Sequence, residues 1–191
     1  MDKLPSQVTV LIDSQEQRPV PFPDYIKMWH ARSPKPRLIR VREKVVRLGA
    51  GDYTLKGHEH VTLMETKRST RELQGNLFTK DYKRSCNAFE RLSSNCTFPY
   101  LVLEIAPWEM FRKTAHVYEP ERVFDALAWV VNRYGLRLWF SGTSRAPAAR
   151  RCLGEQMVRV MLAHALYSED GEDQESIMEV IREIENGKSN S

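Results

Sequence analysis

Residues 100–105, YLVLEI, form a short and nearly continuous apolar run. Such a run reads as a strand covered on both faces, which obliges the chain to supply a layer on each side of a sheet. Helical patterns flank it. One is expected at 81–92, and a second, PERVFDALAWVVNRYG (120–135), opens on Pro and ends at Gly, the usual order at helix ends. Further strands are expected at VTVLID (8–13), at LIRVREKVVRLG (38–49) and at LRLWF (136–140), with a long helix over 148–167. A helix is also expected at 24–31, after the proline-rich RPVPFP. Strands that lead, followed by helices alternating with strands, argue for one α/β layer domain with a central mixed β-sheet flanked by helices.

The 191 residues suit one domain of ordinary size, and 41% hydrophobic with 28% charged residues is a globular composition. No run approaches the ~18 apolar residues of a membrane helix, and the N-terminus lacks a basic-then-apolar leader, so the expected location is intracellular. Three cysteines without a C-x-x-C pattern read as reduced thiols. The formal charge of +4 conceals an asymmetry. Residues 168–191 hold eight acids against Arg182 and Lys188, a net of −6, which leaves +10 for residues 1–167. The expected organisation is therefore a basic domain over 1–167 and an acidic tail over 168–191, partly helical or disordered. A body that basic fits a polyanionic partner, nucleic acid first, or else a solvated basic surface.

The chemistry concentrates in GAGDYTLKGHEHVTLMETKRS (49–69). With the turn at 57–60, the two halves form a hairpin in which Asp52 lies opposite Glu65, Tyr53 opposite Met64 and Leu55 opposite Thr62. Side chains alternate along a strand, so Glu65 and Lys67 share one face and Thr66 points to the other. Two opposed carboxylates repel, and a divalent cation between them would relieve this; Mg²⁺ favours one or two carboxylates, water and phosphate oxygens. The alternative is an ordinary hairpin whose charged ends face water. Ser69 and Glu72 fit a capping box at the start of the next helix.

These residues resemble the nuclease domain of the XPF-type structure-specific endonucleases, whose pattern is Gly-Asp, a variable gap, Glu-Arg-Lys, three residues, Asp. The likeness extends in order through LIDSQEQRP (11–19), ELQGNL (72–77), PYLVLEI (99–105) and LRLWFSGTSRAPAARRCLGE (136–155), covering about 8–166. It implies a restriction-endonuclease-like core of the PD-(D/E)XK type and a Mg²⁺- or Mn²⁺-dependent DNA endonuclease acting on branched or junction DNA. By resemblance, Asp52 and Glu65 hold the metal and Lys67 is the catalytic lysine. Asp13 and Glu16 add acidic groups at the site's edge. Glu72 either takes over the family's final aspartate, absent because Arg71 occupies that position, or caps the helix. Thr66 and Gln15 stand where the family has arginines. The implied partners are DNA and either a second copy of the chain or a partner protein that supplies DNA-binding modules. The altered positions 66 and 71 also admit a second expectation, a non-catalytic DNA-binding scaffold that positions a partner nuclease.

Other basic residues are candidate DNA contacts. Arg40, Arg42 and Lys44 fall on one alternate face of a strand and could track a phosphate backbone, or blunt an exposed sheet edge. Lys80, Lys83 and Arg84 follow the hairpin's helix, with Arg84 where the family keeps a basic residue near the scissile phosphate. The loop 141–145 with Arg150 and Arg151 reads as a phosphate cradle or as plain helix surface. His58 and His60 read as turn residues, and Trp129, Trp139 and Phe140 as core.

Overall fold

The β-branched and apolar segments become seven strands: β1 (Gln7–Asp13), β2 (Tyr25–Met28), β3 (Arg37–Val46), β4 (Tyr53–Leu55), β5 (Thr62–Lys67), β6 (Phe98–Leu103) and β7 (Arg137–Phe140). Among the described residues four α-helices accompany them, α1 (Thr70–Phe78), α2 (Tyr82–Asn95), α3 (Pro120–Tyr134) and α4 (Pro147–Asp170), with a short 3-10 helix at Pro107–Phe111. The structure, a computed structural model, describes residues 4–29, 35–142 and 146–170. The expected tail helix and part of the 141–145 loop fall outside them.

All seven strands join one mixed sheet in the order β2-β3-β1-β4-β5-β6-β7. β1 pairs parallel with β3, and β5, β6 and β7 pair parallel in turn. β4 runs antiparallel to both β1 and β5, and β2 antiparallel to β3. Five strands therefore share one direction, and their carboxyl ends line one edge of the sheet. In open α/β sheets that edge is where ligands are met.

The period-2 alternation sorts the side chains into two cores. Val10, Ile12, Tyr53, Met64 and Val102 pack with Leu153, Met157, Met161 and Leu162 of α4. Leu63, Leu101 and Leu103 pack on the opposite side with Leu73 of α1, Phe89 and Leu92 of α2, and Leu127 of α3. The restriction-endonuclease-like expectation of a mixed sheet between helical layers holds at the level of this α/β architecture.

Two expectations fail. Residues 25–28 of the expected 24–31 helix are strand β2, because Ile26 and Met28 turn inward and the segment pairs with Arg37–Arg40. Exposed Tyr25 and Lys27 alternate with inward Ile26 and Met28, the period of a strand, and the open edge of β3 takes up the backbone. Trp129 is not core: it is 57% exposed, with the Arg133 guanidinium 5.2 Å from its ring centre.

Helix α4 crosses the proline-rich loop so closely that a Cβ on Gly154 would lie 2.2 Å from the Pro21 carbonyl oxygen. Gly154→Ala should therefore destabilise the fold by about 1–3 kcal/mol from backbone overlap, despite the better helix propensity of alanine. Thermal denaturation would show this as a loss of several degrees; an unchanged or higher Tm would refute the close crossing.

Candidate active site

The carboxyl edge of the sheet gathers Asp52, Glu65, Lys67, Glu16 and Glu72. Gly51 makes the first of these placements. Its φ of +69° is a left-handed conformation that glycine adopts without penalty, and a Cβ there would press on Leu92 Cδ1 at 3.1 Å and the Met64 carbonyl oxygen at 3.2 Å. The turn delivers Asp52 just ahead of β4, with its N–H on Met64 O at 2.7 Å and its carbonyl accepting Asp13 N–H at 2.8 Å. Tyr53 pairs with Met64, as the hairpin register predicts.

The carboxylate of Asp52 goes where alternation does not predict. Its Oδ2 accepts both the Thr66 N–H, at 2.7 Å, and the Thr66 hydroxyl, at 2.8 Å. β4 is only three residues long, so beside Thr66 it has ended and the Asp52 side chain replaces a main-chain acceptor. Asp52 is thus bonded to the residue expected to face away from it. Burial, and then the charge of Glu65, push the Asp52 carboxyl up from 3.8 to about 7; the Thr66 hydrogen bonds and Lys67 work the other way.

Glu65 and Lys67 share a face as expected, and they pair at 2.6 Å with little exposure. Burial lowers the ammonium's pKa, but Glu65, Glu72 and Asp52 outweigh it and hold Lys67 above its ordinary value. Glu72 lies 3.6 Å from Lys67 Nζ. Its own N–H is capped by Ser69 Oγ at 3.1 Å, while its Oε2 accepts the Arg68 N–H at 2.9 Å. The capping box is therefore closed on Arg68, one residue earlier than the reciprocal pattern. Glu72 both caps α1 and reaches the lysine.

Asp13 is a backbone neighbour of Asp52, but its carboxylate turns to the end of β3, accepting Leu48 N–H at 3.3 Å and facing Arg47 at 3.7 Å. Glu16, nearly buried, accepts Arg18 N–H at 2.6 Å and pairs with Arg68. Sequence reading missed Arg68 and Glu104. Glu104 receives Arg68 Nε at 3.4 Å and Arg150 Nε at 3.1 Å. The available signal was an acid at the end of an apolar strand, as at Asp13.

The candidate DNA contacts are exposed. Lys44 stands opposite Leu11, while Arg40 stands opposite Gln7, six residues or about 20 Å along β1 from Asp13. Arg42 is held by Gln7 at 2.9 Å. Lys80, Lys83 and Arg84 lie past the far end of α1. His58 and His60 lie in the hairpin turn.

No protein-family description matches the chain, and no curated protein does. Among solved structures it is similar to XPF from Aeropyrum pernix, with TM-score 0.51 and 17% identity over 80% of this chain and 60% of that one. It is also similar to XPF from Aeropyrum pernix in complex with DNA, with TM-score 0.51 and 19% identity over 80% and 64%. The chain spans less than two thirds of the length of these proteins. The likeness is one of fold, to the scaffold of a nuclease.

Among the described residues, no group of three or more His, Cys, Asp or Glu side chains is gathered to hold a metal. The donor set that is present consists of two carboxylates, Asp52 and Glu65, whose repulsion is incompletely relieved. Hard oxygen ligands few in number fit Mg²⁺ or Mn²⁺, which keep waters and take phosphate oxygens.

The raised pKa has a consequence for stability. Between about pH 4 and 7 the unfolded chain has released the Asp52 proton and the folded chain still holds it, so stability falls as pH rises through 7. In metal-free buffer Tm should drop between pH 5 and 8, and Asp52→Asn should remove part of that drop and melt higher than wild type at pH 8. A pH slope unchanged by Asp52→Asn would show that Asp52 ionises normally.

Proposed function

We propose that the chain is a Mg²⁺- or Mn²⁺-dependent DNA endonuclease acting on branched or junction DNA. The observation that carries the reading is a part-buried Asp52, its carboxyl raised to about 7 by burial and by the charge of Glu65, set beside the Glu65–Lys67 ion pair at the carboxyl edge of an XPF-like sheet. Asp52 and Glu65 would hold the ion. When bound, the ion supplies a lowered pKa for a water and polarisation of the scissile phosphate. Thr66 keeps the Asp52 carboxylate from rotating. Lys67, restrained by Glu65 and Glu72, offers a fixed positive charge to a phosphate oxygen or to the attacking water. Attack in line with expulsion of the 3′ oxygen leaves a 5′-phosphate and a 3′-hydroxyl. Arg40, Arg42 and Lys44 on one side, and Lys80, Lys83 and Arg84 on the other, are the proposed backbone contacts, with DNA as the partner and the basic domain over 1–167 as the functional unit.

The runner-up is a DNA-binding scaffold without catalysis. Two facts favour it: Lys67 is closed on Glu65 at 2.6 Å, and no three-acid cluster forms among the described residues.

Labelled linear, flap, fork and four-way DNAs, incubated with the protein and Mg²⁺, Mn²⁺ or EDTA, separate the two readings. The expected result is metal-dependent cutting of a branched substrate, reduced at least 100-fold by Asp52→Asn or Lys67→Ala, in the range of 10²–10³ lost with one charge-stabilising group. Binding without cutting under every metal condition favours the scaffold. Full activity in Asp52→Asn would end the assignment of this site.

A further inference from the structure

The carboxylates and arginines behind Asp52 form one connected chain. Arg150, at the start of α4, donates Nε to Glu104 Oε2 at 3.1 Å and a terminal N–H to the Arg18 carbonyl at 3.0 Å. Arg68 donates to the same Arg18 carbonyl at 2.7 Å and to Glu104 Oε1 at 3.4 Å, and closes on Glu16 Oε1. Glu16 Oε2 lies 3.4 Å from the Thr66 hydroxyl, which is bonded to Asp52 Oδ2 at 2.8 Å.

The Thr66 hydroxyl has a single proton and two carboxylate acceptors within reach. Which acceptor receives it depends on how well each is satisfied. The Glu16 side chain is 8% exposed and has its charge answered on Oε1 by Arg68 and by the Arg18 N–H, so it competes weakly. Asp52 then receives both Thr66 donors on one oxygen, which fixes the carboxylate and leaves Oδ1 for a ligand. Without Arg68, Glu16 would be a buried carboxylate short of a cation, a costly state that any nearby donor relieves. The Thr66 proton is the nearby donor.

We propose that Thr66 is a positioning residue for the cation site and that Arg68, through Glu16, commits the Thr66 hydroxyl to Asp52. The inference rests on the reading of Asp52 and Glu65 as cation ligands. It gives the residue that stands in place of the family's arginine a specific duty, and it makes the geometry of Asp52 depend on the docking of α4 through Arg150 and Glu104.

Mn²⁺ binding to the full chain, followed by loss of the free-ion EPR signal, tests this without any substrate. Thr66→Val keeps the backbone bond and the shape of the side chain but removes the hydroxyl; it should weaken Mn²⁺ binding about 10-fold or more, the range of ligand-orienting groups. Thr66→Ser should bind close to wild type. Arg68→Gln should also weaken binding, and should add nothing once Thr66 is Val, because both act through one hydroxyl. In a Glu16→Gln background, whose neutral amide competes poorly for the proton, the Arg68→Gln loss should vanish; this comparison stands even if Thr66→Val fails to fold. Wild-type affinity in a folded Thr66→Val protein, or additive losses, would overturn the positioning chain while leaving the nuclease reading intact. A wild-type protein that takes up no Mn²⁺ would overturn both.

Discussion

The middle of this sheet is covered on both faces, and that cover governs the charges at its carboxyl edge. Val10 and Ile12, Tyr53 and Leu55, Leu63 and Met64, and Leu101 to Leu103 are all buried. Ionised groups can therefore enter only where the strands stop. Five strands stop together at one edge, where the carboxylates are only partly exposed and gain from a protein partner. Each acid has found another solution. Glu104 and Glu16 take arginines, Glu65 takes Lys67, and Asp52 takes the two donors of Thr66.

Of these four acids Asp52 is the one held by neutral donors among the described residues, and burial with the charge of Glu65 pushes its carboxyl up to about 7. Its partners are neutral dipoles, and a hydrogen bond from a neutral donor offsets less of the desolvation cost than an opposite charge does. Glu65 adds repulsion that Lys67, already engaged, only partly cancels. The electrostatic demand at the start of β4 therefore centres on Asp52. The proposed cation site would differ in this from a network that merely fastens strand ends together, although both are built from the same residue types.

Sequence reading reached the strands and helices with strong periodicity, the pairing of Tyr53 with Met64, the Ser69 cap and the co-facial Glu65 and Lys67. Each of these follows from local spacing. It failed for β2, whose four residues become a strand because β3 offers an open edge, a tertiary fact that no four-residue pattern carries. It failed for Trp129, which lies in an apolar helix but on the face that meets no neighbour. The hydrogen bonds of Asp52 were hidden for a different reason. Alternation assigns faces only within a regular strand, and Asp52 sits in the bend before one, where Gly51 sets the direction. Arg68 and Glu104 were hidden because their partners lie 52 and 46 residues away along the chain, at Glu16 and Arg150.

The same electrostatics bears on the lysine, the feature that most favours a scaffold. A 2.6 Å contact with Glu65 looks like a lysine already occupied. Yet without a divalent ion, two mechanisms share the work of neutralising the acid pair: Asp52 retains a proton, and Lys67 leans on Glu65. If both carboxylates held a cation, Asp52 would give up its proton and the charge of Glu65 would be answered from another direction, which would weaken the hold of Glu65 on the ammonium. Glu72, 3.6 Å away and anchored by Arg68 N–H, would still restrain Lys67. On the proposed reading the closed lysine would be the resting arrangement before an ion binds, so the 2.6 Å contact with Glu65 is compatible with a nuclease as well as with a scaffold.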